Sequence, residues 1–152
     1  MKSNVDEITV HQQYKEEIIN VMEKEPYAQF LGIELIDIGE GTAVAELDIT
    51  DNMINSHGTV HGAITFAIAD YVFAAACNSY GQTAVGLSTT VNFMAAGKKN
   101  SRLRATAHEE KKNHKIGWYK INIESDGELI ATMEATAYRK SDYFVPIDEE
   151  GT

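Results

Sequence analysis

The sequence predicts an α+β fold in which one long central helix is wrapped by a curved antiparallel β-sheet. Three features carry that expectation. Residues Ala63–Cys77 are rich in alanine and large apolar side chains that occupy every helical face, the mark of a buried helix. Two stretches with a two-residue apolar alternation precede this run and four follow it. No helical pattern separates the four later stretches, so the sheet is expected to be antiparallel rather than built from βαβ crossovers.

The N-terminal helix is expected over about residues 9–25. Thr9 and Gln12 fit a capping box, and Val10, Tyr14, Ile18, Val21 and Met22 recur at helical spacing up to Pro26. Tyr27–Leu31, opened by Pro26 and closed by Gly32, fits one further short helical turn. The core is expected over about residues 27–140. Its first strand is Glu34–Ile38, followed by a turn at Gly39–Gly41. In the second strand Ala43, Ala45, Leu47 and Ile49 alternate with Val44, Glu46 and Asp48. After the buried helix come strands at roughly 84–94, 103–110, 116–125 and 128–139, the last two joined through Asp126-Gly127, a hairpin dipeptide. Trp118, Tyr119, Tyr143 and Phe144 are read as packing groups. An acidic tail, densest at Asp148–Glu150, is expected over residues 141–152.

A length of 152 residues fits a single domain, and 43% apolar with 24% charged residues is the composition of a folded globular chain. Thirteen Lys and Arg against 23 Asp and Glu give a net charge of −10, which repels a phosphate backbone or an anionic lipid surface. Neither nucleic acid nor a membrane is therefore an expected partner. Cys77 is the only cysteine, so no intrachain disulfide forms, and its place in the apolar run reads as a small core residue. The first twenty residues have no continuous apolar segment of the signal-peptide kind, and Ala63–Cys77 is shorter than the roughly 20 residues a bilayer requires. A cytoplasmic location is the expectation.

Chemistry concentrates at the start of the buried helix. The segment Asn55-Ser56-His57-Gly58-Thr59-Val60-His61-Gly62 leads into it, and Asp70 follows two turns later. A helix N-terminus presents unpaired N–H groups and a positive dipole end, suited to an oxygen that gains negative charge. Gly62, without a side chain, lets a carbonyl approach such an N–H closely. Asp70 sits among Phe66, Ala67, Phe73 and Ala74, where a buried charge needs a partner or a use. The structural alternative is a carboxylate bonded to backbone or to a hydroxyl on a neighbouring strand.

The pattern Asn55-x-x-Gly58-x-x-His61-Gly62 with Asp70 resembles the signature of the hotdog-fold acyl-CoA thioesterases of the phenylacetate-degradation type. The resemblance runs from about Tyr27 to Lys140 and includes Leu31-Gly32-Ile33, Asn92-Phe93-Met94 and Asp126-Gly127-Glu128-Leu129-Ile130-Ala131. It implies a Gly62 N–H that binds the thioester carbonyl and an Asp70 carboxylate that activates water or attacks directly. Asn55 would help position carboxylate or water, and His61 precedes the oxyanion glycine. Two departures stand out: Ala63 replaces a second glycine, and Phe93-Met94-Ala95-Ala96-Gly97 lacks the usual proline. Both bear on substrate range, which places Ala63 among the substrate-binding candidates. Some relatives carry a catalytic Ser or Thr on the strand after the helix, a part that Ser88 or Thr90 would take here.

The resemblance also implies acyl-CoA as substrate, aromatic or medium-chain, no metal or redox cofactor, and a homodimer or homotetramer whose site lies between subunits. Lys98, Lys99, Arg102, Arg104, Lys111, Lys112, Lys115 and Lys120 gather on strand ends and turns, and as a cluster they suggest a rim for the coenzyme A phosphates, with Lys98 and Lys99 foremost. His57 and His61 have the spacing of two metal ligands on a helix, but Gly58 and Gly62 argue against a helix there. His108 and His114 read as surface residues. A non-enzymatic acyl-CoA sensor and a hotdog-fold hydratase are the rival functions. The first gives Asp70 and Gly62 no joint role, and the second lacks a His-Phe-Pro segment.

Overall fold

The computed structural model describes residues 6–147, and the acidic cluster Asp148–Glu150 lies outside the described residues. Helix α1 spans Glu7–Glu23. Its cap is Asp6 rather than Thr9: the Asp6 carboxylate accepts from the Thr9 N–H at 3.3 Å and from the Thr9 hydroxyl at 2.7 Å. The charged side chain of Asp6 thus supplies the acceptor, Thr9 is its donor, and the helix starts two residues earlier than expected. Helix α2, Pro26–Leu31, ends in Gly32 at φ 84°, a left-handed cap that glycine adopts without strain.

Strands β1 (Glu34–Gly39) and β2 (Thr42–Asp48) precede helix α3 (Gly62–Cys77). Strands β3 (Gln82–Phe93), β4 (Arg102–Lys112), β5 (Ile116–Ser125) and β6 (Glu128–Tyr143) follow it. All pairs are antiparallel, and the six strands run in the order β1-β2-β4-β5-β6-β3. The β5–β6 hairpin turns at Asp126 and Gly127, both at positive φ (47° and 85°), as the dipeptide predicts. Strand β6 outruns its expected end. Val145 beyond it is buried, so the start of the predicted tail packs on the core instead of trailing away.

Strand alternation puts Ala43, Ala45 and Leu47, then Leu103, Ala105 and Ala107, then Tyr119, Ile121 and Ile123, then Met133, Ala135 and Ala137 on the face that receives α3. The many alanines let the helix lie close to the sheet, and α3 touches all six strands. At its C-terminal end Asn78 ties helix to sheet, donating to the Ala74 and Ala84 carbonyls (2.8 and 3.1 Å) and accepting from the Ala84 N–H (2.9 Å). Tyr119 is buried and meets Phe73 edge-on at 5.5 Å, whereas Trp118 and Tyr143 remain partly exposed.

Helix α1 is fastened at both ends. Glu7 pairs with the buried Arg139 and with Lys112 (3.2 Å), His11 Nδ1 donates to the Ser79 carbonyl (2.6 Å), and the Tyr71 hydroxyl donates to the Met22 carbonyl (3.0 Å). Cys77 is buried and unpaired as expected, and burial pushes its thiol up to about 12. Among the described residues no helix is long and apolar enough to cross a membrane.

Candidate active site

The loop before α3 is built around Asn55. Its side-chain oxygen accepts from the His57 and Thr59 N–H groups (2.9 and 3.1 Å), and its Nδ2 donates to Thr59 Oγ1 (2.9 Å). The Gly58 N–H closes the turn on the Asn55 carbonyl (3.1 Å), with Gly58 at φ 80°. The Val60 N–H then bonds the Gly97 carbonyl (3.0 Å) and the His61 N–H bonds the Met53 carbonyl (2.8 Å), which fixes the direction in which the chain enters the helix. The Asn55 oxygen is therefore spent on the loop, and one of its two N–H bonds remains available.

His61 is the N-cap of α3. Its Nδ1 accepts from the Ala63 N–H (3.0 Å), and its carbonyl accepts from Ile64 and Thr65 (2.9 and 3.3 Å). Among the described residues the Gly62 N–H alone in this first turn has no partner. It lies on a cavity of about 250 Å³ lined by Asn55, Thr59, Val60, Gly62, Thr65, Phe93, Ala95, Ala96, Gly97 and Ile130. A donor that the fold leaves free at a positive helix end, beside a cleft, is suited to hold an oxyanion.

Asp70 corrects the sequence reading. The helix is not enclosed all round: Ala63, Phe66 and Asp70 line one face that the sheet leaves open, and the Asp70 side chain reaches solvent along it. The carboxylate has neither a hydrogen bond to a strand hydroxyl nor an ion-pair partner among the described residues. Desolvation nonetheless raises its pKa from the ordinary 3.8. Eight residues along a helix at 1.5 Å each separate Asp70 from Gly62 by about 12 Å. One thioester carbonyl cannot lie within about 3 Å of both groups of a single chain.

Ser88 pairs with Thr136, between the buried Ala135 and Ala137, so it stands on the sheet face turned away from α3. Thr90, opposite the exposed Glu134, shares that face. The period-two alternation of a strand decides the outcome: the bulge between Gly86 and Ser88 sets which residues face inward, and it leaves no trace in the sequence. Lys98 and Lys99 are exposed and directly follow Gly97 of the cavity wall. The wider basic rim is smaller than the sequence suggests. Arg102 is held by Glu34, Glu46 and Asp48, Arg104 by Glu46, and Lys112 by Glu7 and Glu109, which leaves Lys98, Lys99, Lys111, Lys115 and Lys120. His108 and His114 are exposed, and among the described residues His57 and His61 belong to no cluster of three or more groups that could hold a metal ion.

The sequence pattern of the thioesterase superfamily matches residues 57–132, the stretch that holds the helix start, Asp70 and all of the cavity wall but Asn55. The chain belongs to the thioesterase superfamily. It is similar to the acyl-coenzyme A thioesterase PaaI of Escherichia coli (strain K12), at 39% identity over 101 residues that cover 66% of this chain and 72% of that protein. A putative esterase of Archaeoglobus fulgidus is 30% identical over 119 residues, 78% of this chain and 77% of its own. The solved structure of the E. coli PaaI protein from the phenylacetic acid degradation operon matches with a TM-score of 0.81 at 31% identity, covering 90% of this chain and 97% of that one.

As a thioesterase-superfamily member with a hotdog fold, the chain is a thioester hydrolase. The superfamily's reaction needs an activated oxygen nucleophile and a donor to the carbonyl oxygen. Thr65 of the cavity escaped sequence reading, and Phe93, Gly97 and Ile130 entered it only as parts of the segments that carry the resemblance, not as site candidates. Gly97 had a physical reason to be there: a Cβ on it would stand 2.8 Å from Val60 Cγ2, so only glycine lets the cavity wall close on the loop.

Proposed function

We propose that the protein hydrolyses acyl-coenzyme A thioesters as a homodimer, with Asp70 of one subunit acting on a thioester held at Gly62 of the other. The observation that carries this reading is the division of the open helix face: a free N–H at the cavity end, and a desolvated, unpartnered carboxylate about 12 Å further along. A second copy supplies what one chain lacks. The unpaired edge of β3, with Val85, Leu87 and Phe93 exposed along it, supports association through that edge. A dimer of dimers extends the same reading to a tetramer.

In this mechanism the Asp70 carboxylate takes a proton from water as the oxygen attacks the carbonyl carbon. The carbonyl electrons move onto oxygen, which accepts the Gly62 N–H. Collapse breaks the C–S bond, and the leaving thiolate takes up a proton to give free coenzyme A beside the carboxylic acid. Asn55 holds the loop and offers its free N–H to the water or carboxylate, and His61 fixes the first turn so that the Gly62 N–H stays unpaired. The reaction needs water and no further cofactor. Ala63, on the open face, borders the acyl group, and Lys98 and Lys99 beside the cavity suit the coenzyme A phosphates. The acyl group is aromatic, of the phenylacetyl type, or a medium chain. The likeness to PaaI supports the former.

The test is free-thiol release from a panel of aromatic and aliphatic acyl-CoA esters by wild type and Asp70→Asn, with the oligomer measured by light scattering. Turnover that collapses in a still-dimeric Asp70→Asn supports the reading. Bound esters without turnover by the wild type would replace it with the sensor function.

A further inference from the structure

Of the polar side chains that line the cavity, Thr65 is buried, at 3% exposure, whereas Asn55 and Thr59 are half-buried. The usual partner of a threonine hydroxyl inside a helix is the carbonyl four residues back. Here that carbonyl, of His61, is already taken by the Ile64 and Thr65 N–H groups (2.9 and 3.3 Å). The Thr65 hydroxyl has no hydrogen-bond partner among the described residues. Every side-chain nitrogen or oxygen that the described fold seals from water does have one, so the Thr65 oxygen is open to the cavity that Thr65 lines. A hydroxyl enclosed in this way costs free energy unless a ligand pairs with it.

We propose that the Thr65 hydroxyl binds the amide nearest the sulfur in the pantetheine arm of coenzyme A and so holds the thioester in register with the Gly62 N–H. The inference rests on the reading of Gly62 as the donor to the thioester carbonyl. Thr65 stands three residues, or about 4.5 Å, further along the helix, while the Gly62 N–H points the opposite way, to an acceptor about 3 Å beyond it. Because a helical side chain leans back toward the N-terminus, the carbonyl oxygen and the Thr65 hydroxyl are roughly 5–8 Å apart. The oxygen and sulfur of a thioester share one carbon and lie too close together for Thr65 to meet either. The first amide of the arm follows the sulfur by two carbons, and the five bent bonds from carbonyl oxygen to amide nitrogen, at about 1.5 Å each, span roughly 5–6 Å. Direction selects the arm over the acyl group. Five residues at about 100° each turn Thr65 about 140° around the helix from Asp70, away from the open face that the acyl group borders. Thr65 looks instead into the cleft walled by Ala95-Ala96-Gly97, whose small side chains leave room for a thin chain and whose continuation is the exposed pair Lys98 and Lys99. A hydroxyl donates and accepts, so it can pair with either the N–H or the C=O of that amide.

The experiment compares wild type, Thr65→Val and Thr65→Ser in three measurements: the Kd of free coenzyme A by calorimetry, kcat and KM on one aromatic and one aliphatic acyl-CoA ester, and a thermal melt. Valine keeps the branched shape and removes a hydroxyl that no protein group pairs with, so Thr65→Val should melt no lower than wild type. Its Kd for coenzyme A and its KM for both esters should rise by the same factor, about three- to tenfold for one neutral hydrogen bond, while kcat stays within about twofold. Thr65→Ser keeps the hydroxyl and should restore the wild-type constants. A KM increase confined to one acyl group, with coenzyme A bound as by wild type, overturns the assignment and moves Thr65 to the acyl side. Unchanged constants in Thr65→Val, a clearly lower Tm, or equal losses in the valine and serine variants also overturn it, the last two being marks of a packing role. If the wild type binds coenzyme A but releases no thiol from either ester, hydrolysis falls while the Kd comparison still decides the role of Thr65. Failure of the wild type to bind coenzyme A or its esters defeats both readings.

Discussion

Replacing Gly62 with alanine separates catalysis from folding. Gly62 is absent from the positive-φ glycines, so its backbone accepts an L side chain without strain. A Cβ built there meets Phe93 Cε1 and Cζ at 3.4 Å, ordinary van der Waals contact. Alanine in place of glycine inside a helix is worth up to about 1 kcal/mol, less at the first position. The net change in stability should therefore stay within about 1 kcal/mol, or about 4 °C in Tm for a chain of this length.

The same methyl group has a different effect on the reaction. It enters the cavity between Phe93 and the free N–H, where a thioester oxygen must come within about 3 Å of the donor. Complete loss of one oxyanion donor costs on the order of 100- to 1000-fold in kcat, about 2.7–4 kcal/mol. Gly62→Ala should reach at least a tenth of the lower figure, roughly tenfold, while melting like wild type. The assay is thiol release alongside a thermal melt on one preparation. Gly97→Ala is the contrasting case. Its Cβ would lie 2.8 and 2.9 Å from Val60 and 3.3 Å from Ile130, so it should cost about 1–3 kcal/mol and lower Tm and turnover together. Wild-type turnover in a folded, dimeric Gly62→Ala would refute the assignment of the oxyanion donor.

Asp70 has a pKa raised in the folded chain, so its ionisation disfavours folding above the ordinary value of 3.8, and that cost disappears at lower pH. Asp70→Asn should accordingly melt no lower than wild type at pH 7, with any advantage shrinking as pH falls through about 4; a clearly lower Tm at pH 7 would contradict the desolvation. Leu87→Lys places a charge on the exposed β3 edge and should convert the dimer into an inactive monomer in sedimentation and thiol-release assays. An active Leu87→Lys dimer would remove β3 from the interface. Arg139→Met leaves Glu7 with only Lys112 and breaks the bonds to Gln82 and the Asn113 carbonyl, so it should cost about 3 kcal/mol, read as a Tm fall near 10 °C. An unchanged melt would mean that α1 does not depend on that clamp.

The elements that sequence patterning located well are those whose periodicity is long and uninterrupted. The α3 run and the turn of the β5–β6 hairpin fall within a residue of their expected places, because an apolar helix and an Asp-Gly turn each have one dominant local solution. The cap of α1 was missed because two candidate acceptors, Asp6 and Thr9, compete within one turn, and only three-dimensional geometry shows which accepts. Asp70 was found for its sequence surroundings but was expected to be enclosed. Composition counts how apolar a helix is, whereas exposure depends on how far a six-stranded sheet reaches around it. The same limit explains the cations. Arg102, Arg104 and Lys112 look free along the chain, yet register places Glu46 opposite Arg104 and Asp48 opposite Arg102.

The open face of α3 and the bare edge of β3 pose a single physical problem. Phe66 on the helix, and Val85, Leu87, Phe93 and Met94 on or just beyond the strand, expose large apolar surface in one chain. An edge strand of this length with unpaired backbone groups also invites unspecific pairing. Association through β3 in the proposed dimer satisfies the backbone, covers the apolar side chains and carries Asp70 toward a neighbouring cavity in the same step. Covering that face also strengthens each electrostatic contact within it, because water is displaced from around Asp70 and the Gly62 N–H. A carboxylate that is already destabilised in the isolated chain becomes more basic on assembly. In the proposed dimer the interaction that stabilises the oligomer thus prepares the carboxylate that activates the attacking water, and a lone chain would hold both halves of the site without being able to use them.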